Sequence, residues 1–322
     1  MRTNRCILVG DRNTKLRARS VYYSALRRGK PARRGDPVYH DPRATVARSG
    51  RTALQRWALA GKTVLITGAS EGIGRALALE LAALRCQLVL GARDEARLES
   101  CAADCRAAGA AVTWRSADLA QPADCTRLVE HALERFGGLD MLVNNAGMTM
   151  WSRFESVSDP TLYQRLLSVN YLGAVHTTAA ALPHLVRSRG LIVAVASLAG
   201  LTGVPERSGY AASKHALVGF FESLRIELRE RGVDVLIVAP DFVVTQIHRR
   251  AAGPDGRPLG VTPMQESHLM SARACAQLMV RAMRRRQRLL ITSRRGHLAR
   301  WARLLVPALV DRLAARAIRE RR

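Results

Sequence analysis

Thr67-Gly68-Ala69-Ser70-Glu71-Gly72-Ile73-Gly74 is the stretch on which the reading of this chain turns. The apolar run Thr63 to Thr67 (TVLIT) leads into it, and a segment with Leu77, Leu81 and Leu84 at helical spacing follows. A strand running into a glycine-rich turn and then a helix is the context a phosphate-binding loop requires. Glycines permit a tight turn and a close approach of backbone to phosphate, and the helix start offers unpaired N–H groups with a partial positive charge. An ordinary strand-to-helix turn has the same composition, so the rest of the chain must decide between them.

Outward from that turn the chain alternates short apolar runs with longer amphipathic segments. Thr63–Thr67, Gln87–Leu90, Ala111–Arg115, Met141–Asn144, Leu191–Ala196, Val233–Ala239 and Leu289–Thr292 read as strands. Most are too continuously apolar for a sheet with one wet face, which predicts a parallel sheet covered on both sides. Gly74–Leu84, Gln121–Phe136 and Ala272–Met283 supply helical cover. The expectation is an α/β fold: one Rossmann-like, doubly wound parallel sheet of about seven strands over residues 61–293. A basic extension (1–60) precedes it and a basic amphipathic helical tail (294–322) follows.

The net charge of +25 is confined to the ends. Residues 1–60 carry 15 Lys+Arg against 3 Asp+Glu, residues 281–322 carry 14 against 2, and the residues between carry 22 against 21. Only four of the 51 basic residues are lysines (Lys15, Lys30, Lys62, Lys214), so arginine reflects a general preference of the sequence more than phosphate recognition. No helix-turn-helix, RNA-recognition or zinc-finger pattern accompanies the charge, and no nucleic-acid partner is expected. The extension reads as disordered, and a solvated tail, a targeting segment and an upstream start codon all remain open explanations. The six cysteines show no ligand spacing; free thiols in a reducing, cytoplasmic setting and no metal site are expected.

Four further motifs follow the turn in order: Asn144-Asn145-Ala146-Gly147 ending the fourth strand, Ser168-Val169-Asn170-Tyr171, Ser197, and Tyr210-Ala211-Ala212-Ser213-Lys214, whose tyrosine comes 13 residues after Ser197. Tyr210 and Lys214 share one helix face. A free phenol, with a pKa of ~10, is a poor base at neutral pH, and a neighbouring ammonium stabilises the phenolate. This ordered set resembles the classical short-chain dehydrogenase/reductase family over about residues 60–295, on its hydroxysteroid-dehydrogenase-like side and with similarity to the dehydrogenase/reductase seven group. The resemblance implies that Asn170, Ser197, Tyr210 and Lys214 are catalytic. Tyr210 would exchange a proton with the substrate oxygen, Ser197 would hydrogen-bond it, Lys214 would also hold the nicotinamide ribose, and Asn170 would steady a water chain to Lys214. It further implies a dinucleotide held by Gly68, Ser70, Glu71, Gly72, Ile73, Gly74, Asp118, Leu119, Asn145, Ala146, Gly147, Pro240 and Thr245, together with Tyr210 and Lys214. Leu90-Gly91-Ala92-Arg93 ends the second strand with small residues and an arginine where an acid would favour NAD, so NADP(H) is favoured over NAD(H), with Arg93 on the 2′-phosphate. Glu71 would oppose that phosphate unless it turned away.

One departure stands out. Where the family usually has Pro-Gly, Pro240 is followed by Asp241, which could narrow the pocket or bring negative charge to it. The segment Phe242–Met270 mixes Phe242, Val243, Val244, Ile247, Val261 and Met264 with a Gly-Pro-Asp-Gly turn, and reads either as a lid for a bulky apolar carbonyl or alcohol or as ordinary packing. The expected activity is carbonyl/alcohol interconversion on a lipid- or steroid-like molecule; a non-catalytic nucleotide sensor on the same fold is the alternative. The resemblance implies a homo-oligomer through helices near 158–187 and 209–231. In the tail, Leu298, Trp301, Leu305, Leu309 and Leu313 form a stripe among arginines, with Pro307 as a kink. It could close over the pocket, dock on a second subunit, or lie on an anionic membrane surface.

Overall fold

A computed structural model describes residues 57–262 and 269–319, so the basic extension up to residue 56, Cys6 and the lid residue Met264 lie outside the described residues. The first strand, β1 (Thr63–Thr67), is buried throughout. It is followed by α1 (Gly72–Ala82), β2 (Gln87–Ala92), α2 (Glu95–Ala107), β3 (Ala111–Ser116), α3 (Pro122–Phe136) and β4 (Met141–Asn144). Then come α4 (Thr161–Leu167), a π-helical turn (Ser168–Leu172), α5 (Gly173–Ser188), β5 (Leu191–Val195), α6 (Ser208–Glu227) and β6 (Asp234–Ala239). Two short strands, β7 (Val243–Val244) and β8 (Met270–Ser271), pair with each other, and α7 (Ala272–Arg284), β9 (Leu289–Ile291), α8 (Arg294–Leu305) and α9 (Pro307–Arg319) end the described chain.

The main sheet has the order β3-β2-β1-β4-β5-β6-β9 with every pairing parallel. The chain winds outward from β1 to β3, then returns to lay β4 on the other side of β1. That reversal opens a crevice at the carboxyl ends of β1 and β4, the place where such sheets bind ligands. Burial on both faces follows from the apolar strand sequences. Val64, Ile66, Leu88, Leu90 and Val143 pack on one side with Leu77 of α1, Leu98 of α2 and Met279 of α7. Leu65, Val89, Leu142 and Ile192 pack on the other with Leu128 of α3 and Phe221 of α6.

Strand limits differ from the sequence expectation by one or two residues. β2 runs on to Ala92 because its pairing with β3 continues through Ala92↔Ser116. The body also begins before residue 61: Leu59 is buried, the Trp57 amide bonds the Arg284 carbonyl at 2.8 Å, and the Arg286 guanidinium stacks 3.8 Å from the Trp57 ring centroid. Pro307 is less a kink than a start: it opens α9, where its missing N–H costs nothing. Cys86, Cys101, Cys105, Cys125 and Cys275 are buried and free.

Candidate active site

The glycine-rich turn owes its shape to close packing. Gly68 has φ +65°, and a Cβ there would stand 2.7 Å from the Ala146 Cα. At Gly74 a Cβ would stand 2.2 Å from the Gly68 carbonyl oxygen, so the first turn of α1 presses directly on the loop. The loop is tied to β4 by Asn145, whose Nδ2 donates to the carbonyls of Thr67 (2.9 Å) and Gly68 (3.1 Å). Thr67, which the sequence reading did not single out, completes the tie. Its Oγ1 accepts from the Asn145 and Ala146 amides and donates to the Val143 carbonyl. The N-cap residue Glu71 makes no side-chain bond to the start of α1, which fits an anion arriving there. Ser70, Gly72 and Ile73 line the same half-buried turn. Thr245 closes over it, with its Cγ2 3.2 Å from a Cβ placed on Gly72.

Glu71 does not stand as a bare carboxylate. Arg97 Nη1 reaches its Oε2 at 3.1 Å and Arg250 Nη1 its Oε1 at 2.7 Å, so two guanidinium groups offset the charge. Arg93 is exposed at the end of β2, and among the described residues its guanidinium has no partner. Asp118 is held by its own loop, its Oδ1 accepting from the Ala120 amide at 3.1 Å, while Leu119 is buried against Gly173. Glu71, Arg93, Asp118 and Leu119 each follow the carboxyl end of a strand.

At the second half of the site Lys214 is buried. Its Nζ donates to the Val195 carbonyl at 2.9 Å and lies 5.8 Å from the Tyr210 ring centroid. Burial, and after it the Arg207 guanidinium, pushes the lysine down to about 8. Asn170 sits in the π-helical turn, a distortion frequent at functional sites. Its Oδ1 accepts from the Met148 amide at 2.8 Å, and its Nδ2 donates to the Met148 carbonyl and Ser213 Oγ, both at 2.9 Å. The side-chain amide is therefore committed to bracing the β4 loop against α6. A Cβ at Gly147 would lie 3.2 Å from Asn170 Oδ1 and 3.5 Å from Lys214 Nζ, which explains why that loop passes here as glycine. Ser197 ends the β5 segment half-buried, its Oγ accepting from the Ala199 amide at 3.1 Å, and Tyr210 is buried near the start of α6.

The Asp241 side chain is turned toward the start of α8. Its carboxylate takes a forked bond from Arg295 Nη2 (2.8 and 3.0 Å) and one from Ser293 Oγ (2.7 Å), while the Pro240 carbonyl accepts from the Leu198 amide at 2.9 Å. Burial raises the Asp241 pKa, but Arg295, Ser293 and the Phe242 amide outweigh it and hold the carboxyl below its usual range. The carboxylate thereby forms a clasp between the end of β6 and α8. Arg97, Arg250, Arg295 and Arg207 were all missed by sequence reading. Among so many arginines no spacing signal separates these four, except that Arg207 lies one helical turn before Tyr210.

Comparison with known proteins agrees with the fold. A family model described as short chain dehydrogenase matches residues 62–254. The chain is 42% identical over 240 residues to 11-beta-hydroxysteroid dehydrogenase 1A of Arabidopsis thaliana, covering 71% of this chain and 68% of that one. It is 34% identical over 271 residues to dehydrogenase/reductase SDR family member 7B of Bos taurus, covering 80% and 82%. Among solved structures, a short chain dehydrogenase/reductase from Burkholderia phymatum in complex with NAD is similar at TM-score 0.70 and 30% identity, over 79% of this chain and 96% of that one. An alcohol dehydrogenase from Thermococcus sibiricus complexed with 5-hydroxy-NADP is similar at 0.64 and 28%, over 71% and 95%. A seven-stranded parallel sheet wound outward from a glycine turn, matched by that family model over more than half the chain, means that this protein belongs to the short-chain dehydrogenase/reductase family of oxidoreductases.

Proposed function

We propose that this enzyme interconverts a carbonyl and a secondary alcohol with NADP(H), on a bulky, largely apolar substrate. The observation that carries the reading is the buried ammonium of Lys214, anchored to the Val195 carbonyl beside Tyr210 on the same helix. A nicotinamide dinucleotide, when bound, supplies or accepts the hydride. Tyr210 Oη gives its proton to the carbonyl oxygen in reduction and takes it back in oxidation. Lys214 favours the phenolate by its charge, Ser197 Oγ donates to the same substrate oxygen, and Asn170 keeps the Met148 loop and Ser213 in place around them. Gly68, Gly72 and Gly74 leave room for the pyrophosphate, and Thr245 covers it. Asp118, Leu119 and Asn145–Gly147 would line the adenosine side, and Pro240 the nicotinamide side.

Support for NADP(H) comes from Arg93, whose guanidinium is exposed and has no partner among the described residues, and from the neutralisation of Glu71 by Arg97 and Arg250. A 2′-phosphate would thus meet a net positive surface. The structural neighbours were solved with NAD and with an NADP derivative, so both remain chemically accessible to the fold. An apolar substrate is supported by relatives named as hydroxysteroid dehydrogenases and by Trp151, Tyr210 and Phe242 gathered on one side of the site. Among the described residues no helix is long and apolar enough to cross a membrane. We read the tail as the contact with a membrane surface, because its apolar stripe is left uncovered.

The test is turnover with carbonyl compounds of graded hydrophobicity, followed by NADPH absorbance. Tyr210→Phe should abolish it while NADPH binding, read by fluorescence, changes little. Undiminished turnover by Tyr210→Phe on a substrate of the parent enzyme would overturn the assignment, and NADPH binding without turnover of any carbonyl would favour the nucleotide-sensor alternative.

A further inference from the structure

Arg207 is a buried charge that the proposed chemistry leaves unused. It lies three residues before Tyr210 and is 5% exposed. Its Nη2 donates to Thr149 Oγ1 at 2.6 Å, and its guanidinium carbon stands 4.4, 5.2 and 5.9 Å from the ring centroids of Tyr210, Trp151 and Phe242. Aromatic faces attract a cation but do not accept its N–H bonds as an oxygen does. Among the described residues Arg207 Nε is buried without an acceptor, and no carboxylate reaches the guanidinium. The neighbouring Glu206 carboxylate is taken by Trp151 Nε1 at 3.0 Å and approached by Arg153 at 3.8 Å.

A second unmatched polar atom is found on the same wall. His248 is also 5% exposed, its ring 6.1 Å from that of Phe242, and its Nδ1 has no partner among the described residues. Burial first, and the Arg207 charge second, push it down to about 4, so a neutral imidazole accompanies the guanidinium at physiological pH. The backbone is bent to create this arrangement. Glu206 holds φ +63°, costly for a residue with a Cβ, and is kept there by the Ser152 amide bonding its carbonyl at 2.8 Å. That turn directs Arg207 inward at the start of α6. Three segments then converge on it: the loop after β4 (Thr149, Trp151), α6 (Tyr210), and the chain after β6 (Phe242, His248). All three leave the carboxyl edge of the sheet, where a substrate must enter to reach Tyr210.

A fixed cation with an unused donor, walled by aromatic rings and without a counter-ion among the described residues, matches a carboxylate joined to an apolar body. We propose that Arg207 is a specificity-determining residue that binds a carboxylate on the substrate, so that the enzyme acts on an apolar carbonyl or alcohol bearing a carboxylate within a few bonds of the reacting carbon. The short reach follows from the distance between the guanidinium and the Tyr210 ring. That the reacting carbon sits at Tyr210 rests on the function proposed above; that an anion binds at Arg207 does not.

The experiment uses the full chain with NADP+ bound and two probes, decanoate and 1-decanol, measured by calorimetry. The parent protein should prefer decanoate, and Arg207→Gln should weaken decanoate by about tenfold or more while leaving decanol within about twofold. With 3-oxodecanoate and its methyl ester as carbonyl substrates, the variant should raise KM for the acid alone. Arg207→Lys keeps the charge should the glutamine variant melt early, and it should retain a preference for decanoate. Equal affinity of the parent protein for both probes, or an equal loss on both in Arg207→Gln, overturns the proposal. Arg207-dependent decanoate binding in a protein that turns over no carbonyl would retain the anion site and reject the oxidoreductase reading.

Discussion

His248 shows how a single buried side chain makes the fold depend on pH. Its proton affinity is about 4 in the folded chain against 6.5 for an ordinary histidine, with burial the main cause and Arg207 the second. Between those values the unfolded chain binds the proton and the folded chain does not. The contribution of this group is therefore intact above about 6.5 and drains away as pH falls toward 4, by on the order of 3 kcal/mol. Urea unfolding at pH 7 and pH 4.5 should show this loss, and His248→Gln should flatten it. Arg93 offers a separate test at the same scale. Arg93→Ala should raise the Kd for NADPH by about tenfold and leave that for NADH nearly unchanged, since a charged phosphate contact contributes about 1.5–3 kcal/mol. Equal losses for both dinucleotides would remove Arg93 from the 2′-phosphate.

Elements of this fold are joined at the site by contacts far apart in sequence. Asp241 and Arg295 hold α8 to the end of β6, with Ser293 both bonding Asp241 and capping α8 through the Gly296 amide at 2.9 Å. Arg295 is largely exposed, so this clasp is modest, about 1–2 kcal/mol for the half-buried carboxylate and its bonds together. Asp241→Gly should leave NADPH binding in place and speed hydrogen exchange of the amides of α8 severalfold. Unchanged exchange would mean that α8 is held elsewhere, for example by Arg303 on the Leu201 carbonyl at 2.6 Å. At the other end of the crevice, Gly74→Ala drives a methyl group into the Gly68 carbonyl. Loss of dinucleotide binding should accompany a lower melting temperature.

At the scale of the molecule, most of the exposed large apolar side chains among the described residues lie in the tail. Leu298, Trp301 and Leu305 are 71%, 64% and 76% exposed, so the stripe does not close over the pocket within one chain. The tail does reach back toward the start of α6: Val310, Asp311 and Ala314 border a cavity of about 630 Å³ with Gly203, Val204 and Ser208. An apolar face flanked by arginines suits an anionic bilayer, and a second subunit is the competing cover. Co-sedimentation with phosphatidylserine vesicles should be lost at high salt and after truncation beyond Gly296, a cut that keeps the Asp241–Arg295 clasp. Light scattering of the same truncated protein should still report at least a dimer if the helices near 158–187 and 209–231 form the subunit contact, where Leu167, Leu172 and Ile226 are exposed.

The sequence by itself determined the sheet, its two-sided cover and the place of the motifs. Strand identity follows from continuous apolar runs, and the turn after β1 follows from glycines that no other residue replaces. Tyr210 and Lys214 were legible for the same reason, being local: four residues on one helix face. What only the tertiary structure decided depends on pairs tens to hundreds of residues apart. Glu71 meeting Arg97 and Arg250, Asp241 turning to Arg295, and Arg207 entering a ring of aromatic side chains each require segments from different strands and helices to be brought to one edge of the sheet. In a chain with 51 basic residues, charge pattern cannot say which guanidinium is buried. Burial does, because removing a cation from water is tolerated only where oxygens, π faces or a ligand replace the solvent.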